Sequence, residues 1–245
     1  MRLYVRNSLL AALTTVLWLA PSAKADNLAL TGPGDGVSAA NIYVGPYQGT
    51  VNGVTAPIIC DDFTHDSFIG ETWTALGTNL GTGNLANTLY GQRDGVATAA
   101  TEYDAAAYLA NELLAPSLNP TTQTDLQFAI WYLFDQSQVT TYLDSFGSTY
   151  ASLLSAASAD ATAAETAEAN PNTALTAAQL ANFIIYTPTG NYSCPGGCAN
   201  TPPQEFIADA PVSAAEPSTL VLLLAGLGGL AIVAARRQKT GVSYA

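Results

Sequence analysis

Apolar and polar positions follow three patterns along the chain. Nearly uninterrupted apolar runs extend from Leu9 to Ala20 and from Thr219 to Ala235. Between these runs, short β-prone segments separated by Gly, Pro and Asn dominate the early and late parts, and apolar residues three and four apart dominate the middle. The pattern predicts an α+β fold, β-rich in its N- and C-terminal parts around a helical middle, plus one C-terminal transmembrane helix.

The predicted strands lie on both sides of the helical middle. Residues 26–40 are rich in Gly, Pro and small polar residues, which is typical of an extended lead-in. The Asn52-Gly53 step between two valines predicts a β-hairpin turn. Five glycines within residues 77–95 predict a loop. The late segments "NFIIYTP" and "QEFI" predict strands on either side of a cysteine-containing loop.

Three helical segments are predicted in the middle. Residues 101–115 have acidic side chains in their first turn and a proline directly after their end. Residues 122–125 resemble a capping box with Asp in place of Glu. The helix that they open has one apolar face, formed by Leu126, Ala129, Ile130, Leu133 and Phe134. Residues 151–182 are rich in Ala, Ser and Thr and predict helix, interrupted at the Asn-Pro step at 170–171.

Residues 1–25 have the organisation of a secretory signal peptide. Arg2 and Arg6 form its charged start, the apolar run follows, and residues 23–25 form a small-x-small cleavage site. Twelve apolar positions are too few to span a bilayer. We therefore expect export, with a mature chain that begins near Asp26.

The second apolar run, residues 219–235, reaches the lower limit for a spanning helix. It has no amphipathic face, which argues against a buried core helix. The basic residues that follow it place the C-terminal side in the cytoplasm. The sequence therefore predicts an exported ectodomain at 41–207, a linker at 208–215, this membrane helix and a cytoplasmic tail at 240–245.

The order of features around this helix resembles the PEP-CTERM sorting signal, which an exosortase recognises and cuts. The matching residues are Glu216, Pro217, Ser218, Arg236 and Arg237, while Ala215 stands where the family has its first proline. The resemblance implies a sorting signal at 216–239 and a membrane-anchored precursor. It also implies a final place on the cell surface or in the extracellular matrix of a Gram-negative type of host that makes exopolysaccharide or biofilm.

The region between the two ends is strongly acidic. Residues 26–215 contain eighteen acidic side chains against Arg93 alone, a net charge of −17, and no lysine. Such a surface repels nucleic acid and anionic membranes and favours solubility. Nucleic-acid binding is therefore not expected.

Three cysteines are expected to meet oxidising conditions after export. Cys194 and Cys198 flank a Pro-Gly-Gly bend that can close a local disulfide, which leaves Cys60 unpaired. The alternative is a disulfide between Cys60 and one of the other two. Three cysteines and one distant histidine lack the paired spacing of a zinc site, so no metal or cofactor is expected.

Gln127 is a polar residue inside the apolar segment "TDLQFAIWYLFD". At 100° per residue it falls between Phe134 and Trp131 on the helix. Burying an amide without a partner costs about 1–3 kcal/mol. Gln127 should therefore have a partner, either a backbone hydrogen bond or a chemical bond to Cys60.

The second possibility comes from a resemblance. "LQFAIWY" is similar to the Q-x-A-I-W motif of bacterial thioester domains, which occur in surface adhesins, and "PIICDDF" supplies a preceding cysteine, Cys60. The resemblance implies that Gln127 and Cys60 condense to an internal thioester with release of ammonia. Phe63, Trp131 and Phe134 would form a pocket that excludes water. A lysine-free ectodomain offers no side-chain amine to attack its own thioester.

Other candidate sites are weaker. Asp61, Asp62 and Asp66 form an acidic cluster that calcium could use, although the EF-hand spacing is absent and a solvated acidic turn is the favoured interpretation. His65, the one histidine, is expected near the surface. No oxyanion donors or paired carboxylates can be selected for a hydrolase.

The sequence thus predicts an exported envelope or matrix protein with a structural or adhesive role, and not an enzyme. The alternatives are covalent adhesion through a Cys60–Gln127 thioester and a secreted carbohydrate-acting enzyme. The expected partners are an exosortase-type processing enzyme, the membrane, and polysaccharide or amines of surface proteins.

Overall fold

Six antiparallel strands close into a barrel in the computed structural model, which describes residues 25–82, 84–194 and 202–209. The strands are β1 (Asp26–Gly32), β2 (Ser38–Ala39), β3 (Ile42–Tyr43), β4 (Tyr47–Val51), β5 (Val54–Cys60), β6 (Thr72–Asn79), β7 (Phe183–Ser193) and β8 (Phe206–Asp209). The barrel order is β1-β4-β5-β8-β7-β6, with β6 paired back to β1. Strands β2 and β3 pair separately.

The helices lie between β6 and β7 in the chain. They are α1 (Leu89–Arg93), α2 (Val96–Leu113), α3 (Pro120–Asp144), α4 (Ala151–Ala169) and α5 (Ala177–Leu180). The predicted α+β fold with a helical middle is therefore confirmed. Among the described residues no helix is long and apolar enough to cross a membrane. Of the predicted linker at 208–215, residues 208 and 209 belong to β8 instead, and the rest lies outside the described residues. The predicted signal peptide, except its last residue, and the predicted membrane helix at 219–235 lie outside them as well.

Alternation along the strands divides the core into two clusters. In β5, Ile58 and Cys60 belong to a cluster with members from all six barrel strands, whereas Ile59 packs in a second cluster with the helices. In β8, Phe206 belongs to the barrel cluster and Ile207 to the helical cluster. Because successive side chains of a strand point to opposite faces, the two cores lie on opposite sides of the sheet.

Helix α3 contributes to both clusters. The predicted apolar face packs in the helical cluster, with Leu133 only partly buried. A second buried face, which the sequence analysis missed, packs in the barrel cluster and contains Phe128, Trp131, Val139 and Leu143. A nearly continuous apolar sequence such as this one does not reveal that both sides are buried. Three polar residues of α3, Gln123, Gln127 and Asp135, are buried together with these two faces.

Some local predictions are confirmed. Asn52 and Gly53 connect β4 and β5 with φ values of 52° and 80°, as the predicted hairpin requires. Helix α4 ends at Ala169, next to the predicted break. The segments around 183 and 206 form β7 and β8.

Other boundaries differ from the predictions. Residues 26–32 form β1 of the barrel instead of an extended lead-in, and residues 77–95 include the end of β6 and all of α1 instead of a loop. Helix α2 begins at Val96, five residues before the predicted start at residue 101, because the preceding segment "VATAA" contains three alanines, which favour helix. Helix α3 begins after Asn119, whose side chain accepts a hydrogen bond from the Thr122 backbone N–H.

Helix α3 is kinked at Asp135, where the backbone has φ −130° and ψ 46°. The Arg93 guanidinium stabilises this kink: one nitrogen lies 2.6 Å from an Asp135 carboxylate oxygen, and another donates to the Phe134 carbonyl at 2.7 Å. Tyr90 donates its hydroxyl to Asp135 at 2.6 Å, and Arg93 lies over the Tyr90 ring at 4.3 Å. The one basic residue of the ectodomain therefore neutralises a buried carboxylate and satisfies a freed carbonyl.

Replacing Arg93 by glutamine should lower the free energy of unfolding by about 2 to 3 kcal/mol, because it leaves the buried Asp135 carboxylate without its cation. The loss stays below that of a fully buried ion pair, because the Arg93 side chain is partly exposed to solvent. Adding Asp135→Asn to this variant should recover at least half of the loss. Asp94→Asn, which removes a more exposed partner of Arg93, should change stability by less than about 1 kcal/mol. Urea unfolding measures all three, and an Arg93→Gln midpoint equal to that of the wild type would contradict this account.

Candidate functional site

The Gln127 side chain is fully buried and has backbone partners on both sides. Its Oε1 accepts the Gly45 backbone N–H at 3.1 Å, and its Nε2 donates to the Cys60 carbonyl at 2.7 Å. The amide thus joins helix α3 to the segment just before β4 and to the end of β5. These two bonds remove the cost of burying an unpartnered amide.

Gln123 lies one helical turn before Gln127 and binds the same segment. Its Nε2 donates to the Gly45 carbonyl at 2.8 Å, so the two glutamines hold both backbone groups of Gly45. A β-carbon at position 45 would lie 2.5 Å from the Gln127 Oε1, so this close approach requires glycine. Neither Gln123 nor Gly45 was predicted from the sequence. The detectable signal was the i, i+4 spacing of the two glutamines, which places both amides on one side of the helix.

Cys60 ends β5 as a buried free thiol. Its S–H donates to the Asp62 carbonyl at 3.1 Å. Burial raises the pKa of this thiol well above its ordinary value, and the Asp62 and Asp61 carboxylates raise it further. The neutral thiol is therefore the stable form. The buried Trp131 indole nitrogen lacks a well-formed hydrogen bond but interacts with the Cys60 sulfur.

The cysteine pairing agrees with one of the two predicted alternatives as far as the described residues extend. Cys60 is free, so it does not pair with Cys194 or Cys198. Cys194 is disulfide-bonded. Cys198 lies outside the described residues, and its bond to Cys194 stays a prediction.

Cys60 and Gln127 are 67 positions apart in the chain and in hydrogen-bond contact in the fold. A sulfur that attacked the Gln127 amide carbon would move negative charge onto Oε1. The Gly45 N–H already donates to that oxygen, as an oxyanion-stabilising group must. The observed contact is made by the Cys60 backbone carbonyl, and it establishes Gln127 as a structural anchor of α3.

The aromatic side chains predicted around this site do not all meet. Phe63 and Trp131 pack together with ring centroids 5.2 Å apart, and Phe128, which was not predicted, lies 5.0 Å from Trp131. Phe134 instead stacks on Tyr90 at 4.2 Å in the helical cluster. Placing Phe134 in the pocket was wrong, because Phe134 and Trp131 contribute to the two different faces of α3.

The acidic cluster after β5 also differs from the prediction. Asp61 and Asp62 are fully buried, so the solvated acidic turn is wrong for them, whereas Asp66 is exposed. Asp62 accepts hydrogen bonds from the Thr64 backbone N–H at 2.8 Å and contacts the His65 Nδ1 at 2.6 Å. No group of three or more metal-ligating side chains converges within the described part of the chain.

Asp61 forms a buried acid pair with Glu205, a residue that the sequence analysis did not single out. Glu205 accepts hydrogen bonds from the Tyr103 and Thr187 hydroxyls and from the Leu89 backbone N–H. The Asp61 carboxyl oxygens accept none. Three hydrogen-bond donors favour the ionised form of Glu205. Asp61 has no donor that would stabilise a negative charge, so of the two acids Asp61 carries the proton.

Burial holds the pKa of Asp61 well above its ordinary range, and the Glu205 and Asp62 carboxylates raise it further. Burial also raises the pKa of Glu205, although its hydrogen-bond donors oppose that shift. A protonated Asp61 therefore stabilises the fold fully below its unfolded pKa of about 4, and this contribution is lost as pH rises through the raised pKa.

Asp61→Asn should consequently flatten the pH dependence of stability. The asparagine side chain cannot ionise, so the variant should gain stability relative to the wild type as pH rises above about 4. The slope of the difference should not exceed about 1.4 kcal/mol per pH unit for a single proton. Denaturant unfolding at a series of pH values measures it, and parallel profiles for the two proteins would exclude a protonated Asp61.

Comparison with known proteins identifies one part of the chain. Residues 216–238 match the family model of the PEP-CTERM protein-sorting motif. The match contains all five predicted motif residues, which confirms the sorting signal; these residues lie outside the described structure. The chain has no significant match among curated proteins or solved structures. The motif marks the chain as an extracellular protein sorted by an exosortase.

Proposed function

We propose that the ectodomain is an adhesive protein of the cell envelope or extracellular matrix, in an exopolysaccharide or biofilm context, and not a metabolic enzyme. We further propose that Cys60 and Gln127 supply its covalent chemistry as an internal thioester. The observation that carries this second proposal is the 2.7 Å contact between the Gln127 Nε2 and the Cys60 carbonyl. It brings together the two residue types that the chemistry needs.

The bond-forming step balances without an oxidant or a cofactor. The Cys60 sulfur attacks the Gln127 amide carbon, and the carbonyl electrons move onto Oε1, where the Gly45 N–H donates. The intermediate collapses with cleavage of the carbon–nitrogen bond. The amide nitrogen leaves as ammonia and takes the thiol proton with it. A carbon–sulfur bond then joins β5 to α3.

The thioester would be an activated acyl group in a site closed to water. Cys60 and Gln127 are both fully buried, and Phe63, Phe128 and Trp131 pack beside them. An amine of a partner molecule that reached the carbon would form an amide and release the Cys60 thiol. The absence of lysine from residues 26–215 supports this use, because the ectodomain cannot acylate its own side chains.

A second candidate is adhesion without covalent chemistry. The hydrogen bonds of Gln127 to Gly45 and Cys60 support it, because they give the glutamine a complete structural role. The Cys60 S–H is likewise already bonded to the Asp62 carbonyl. In this case the amide only fixes α3 on the barrel, and binding takes place elsewhere on the surface.

Intact mass separates the two candidates. If the thioester forms, the exported wild-type protein should be lighter than its sequence by one ammonia, and methylamine should add to Gln127 and free the Cys60 thiol. Cys60→Ala and Gln127→Ala should show neither effect. Gln123→Ala is the matched control, because it removes a neighbouring amide from the same helix but neither reacting group, and it should keep the mass deficit.

An unmodified wild-type mass, with Cys60 alkylated only after unfolding, would overturn the thioester proposal. The adhesive role without covalent chemistry would then stand alone.

The sorting motif gives an independent prediction. Replacing both Glu216 and Pro217 by alanine should leave the C-terminal tail uncut and the precursor in the membrane fraction, because the substitutions remove the recognised residues. Ser243→Ala, beyond the matched residues, should be processed normally. Immunoblotting of membrane and extracellular fractions measures the outcome. Normal processing of the double variant would show that the motif is not what the exosortase reads.

A further inference from the structure

A cavity of about 290 Å³ lies next to the Cys60–Gln127 site. Six aromatic side chains line it: Tyr43, Tyr47, Phe63, Trp131, Tyr142 and Phe206. Trp131 and Tyr47, which line the cavity, also interact with Cys60, which itself is buried and does not line it. Its volume is close to the lower end of the range for small-molecule sites.

Several polar groups on the lining of the cavity already have backbone partners. Tyr47 donates its hydroxyl to the Tyr43 carbonyl at 2.7 Å, and Tyr142 donates to the Ala40 carbonyl at 2.5 Å. The Gln204 amide donates to the Asp62 carbonyl at 2.7 Å. Ten of the fourteen lining residues are aromatic or aliphatic, so a ligand meets a mainly apolar surface.

Asp66 and His65 are the ionisable side chains other than tyrosine on the lining of the cavity. Asp66 lies on its lining and is exposed, and no lysine or arginine lines it. The His65 ring already contacts the buried Asp62 carboxylate through Nδ1. The net charge of −17 over residues 26–215 adds a long-range attraction for cations.

Access is from the surface. Tyr43 and Ile69, both on the lining, are 49% and 50% exposed. Large hydrophobic side chains that stay open to water beside a cavity are typical of a place where a ligand docks.

We propose that this cavity binds an organic cation, an alkylammonium group that places its charge against the aromatic faces and near Asp66. Aromatic rings attract a cation through the negative potential of their faces, and an ammonium that carries methyl or methylene groups also gains from burying them. An anionic ligand would meet Asp66, and a neutral ligand would gain nothing from that charge. The proposal goes beyond the thioester, because a bound cation need not react.

Isothermal titration calorimetry with choline tests this proposal. The comparison is the neutral analogue of choline in which a tert-butyl group replaces the trimethylammonium group. The two probes have nearly the same shape, so a difference between them reports the charge. Choline should bind the exported protein about tenfold more tightly than the neutral analogue. Equal binding of the two probes, or binding of neither, would overturn the proposal.

Variants locate the site. Asp66→Asn should weaken choline binding up to about fivefold, as expected for an exposed charge pair. Glu112→Gln removes the same charge from an exposed position that does not line the cavity, and it should leave binding unchanged. Tyr43→Ala should weaken choline binding further. Equal effects of Asp66→Asn and Glu112→Gln would mean that only the overall charge matters and would exclude this cavity.

The same titration on Cys60→Ala separates this proposal from the previous one, because no thioester can form there. Choline binding by Cys60→Ala together with an unmodified wild-type mass would leave the cation site intact and remove the thioester. A mass deficit without choline binding would support the thioester and remove the cation site.

Discussion

The attachment of α3 to the barrel by two glutamine amides is the interaction on which the arrangement of this ectodomain depends. Apolar packing alone tolerates small rotations and translations of a helix that is buried on both sides. Hydrogen bonds to Gly45 and Cys60 do not tolerate such movements, because they are directional and their loss would leave buried polar groups without partners. The amides therefore fix the register of α3 against the barrel strands, and both candidate roles of Gln127 require that register.

A protein with one basic residue in its ectodomain must stabilise buried acids by other means. Asp135 receives the single guanidinium, at the kink of α3. Glu205 receives tyrosine and threonine hydroxyls and a backbone N–H, and Asp61 retains a proton. Uncharged donors and protonation thus replace ion pairs in most of this core. The absence of lysine is compatible with a buried acidic network for this reason.

Local pattern was sufficient for part of the fold and of the site. The hairpin at Asn52, one face of α3 and the need of Gln127 for a partner follow from turn chemistry, helical period and the cost of burying an amide. Gly45, Gln123 and Glu205 could not be found in this way, because their importance comes from contacts between residues far apart in the chain. Strand β1 was not predicted, because the residues that follow it in the chain are rich in glycine and proline. Phe134 was assigned to the wrong pocket, because a helical wheel does not show which elements cover each side of the helix.

The strand order constrains when the ectodomain can fold during export. Strands β7 and β8 come last in the chain, yet they lie between β5 and β6 in the barrel. Until they arrive, β5 and β6 each lack a partner along one edge, and exposed edges of this kind invite pairing with other chains. Only residues 210–215 separate the end of β8 from the sorting motif. The barrel therefore cannot close until almost the whole ectodomain is available, and a chain in which β7 and β8 are not yet in place remains open to aggregation.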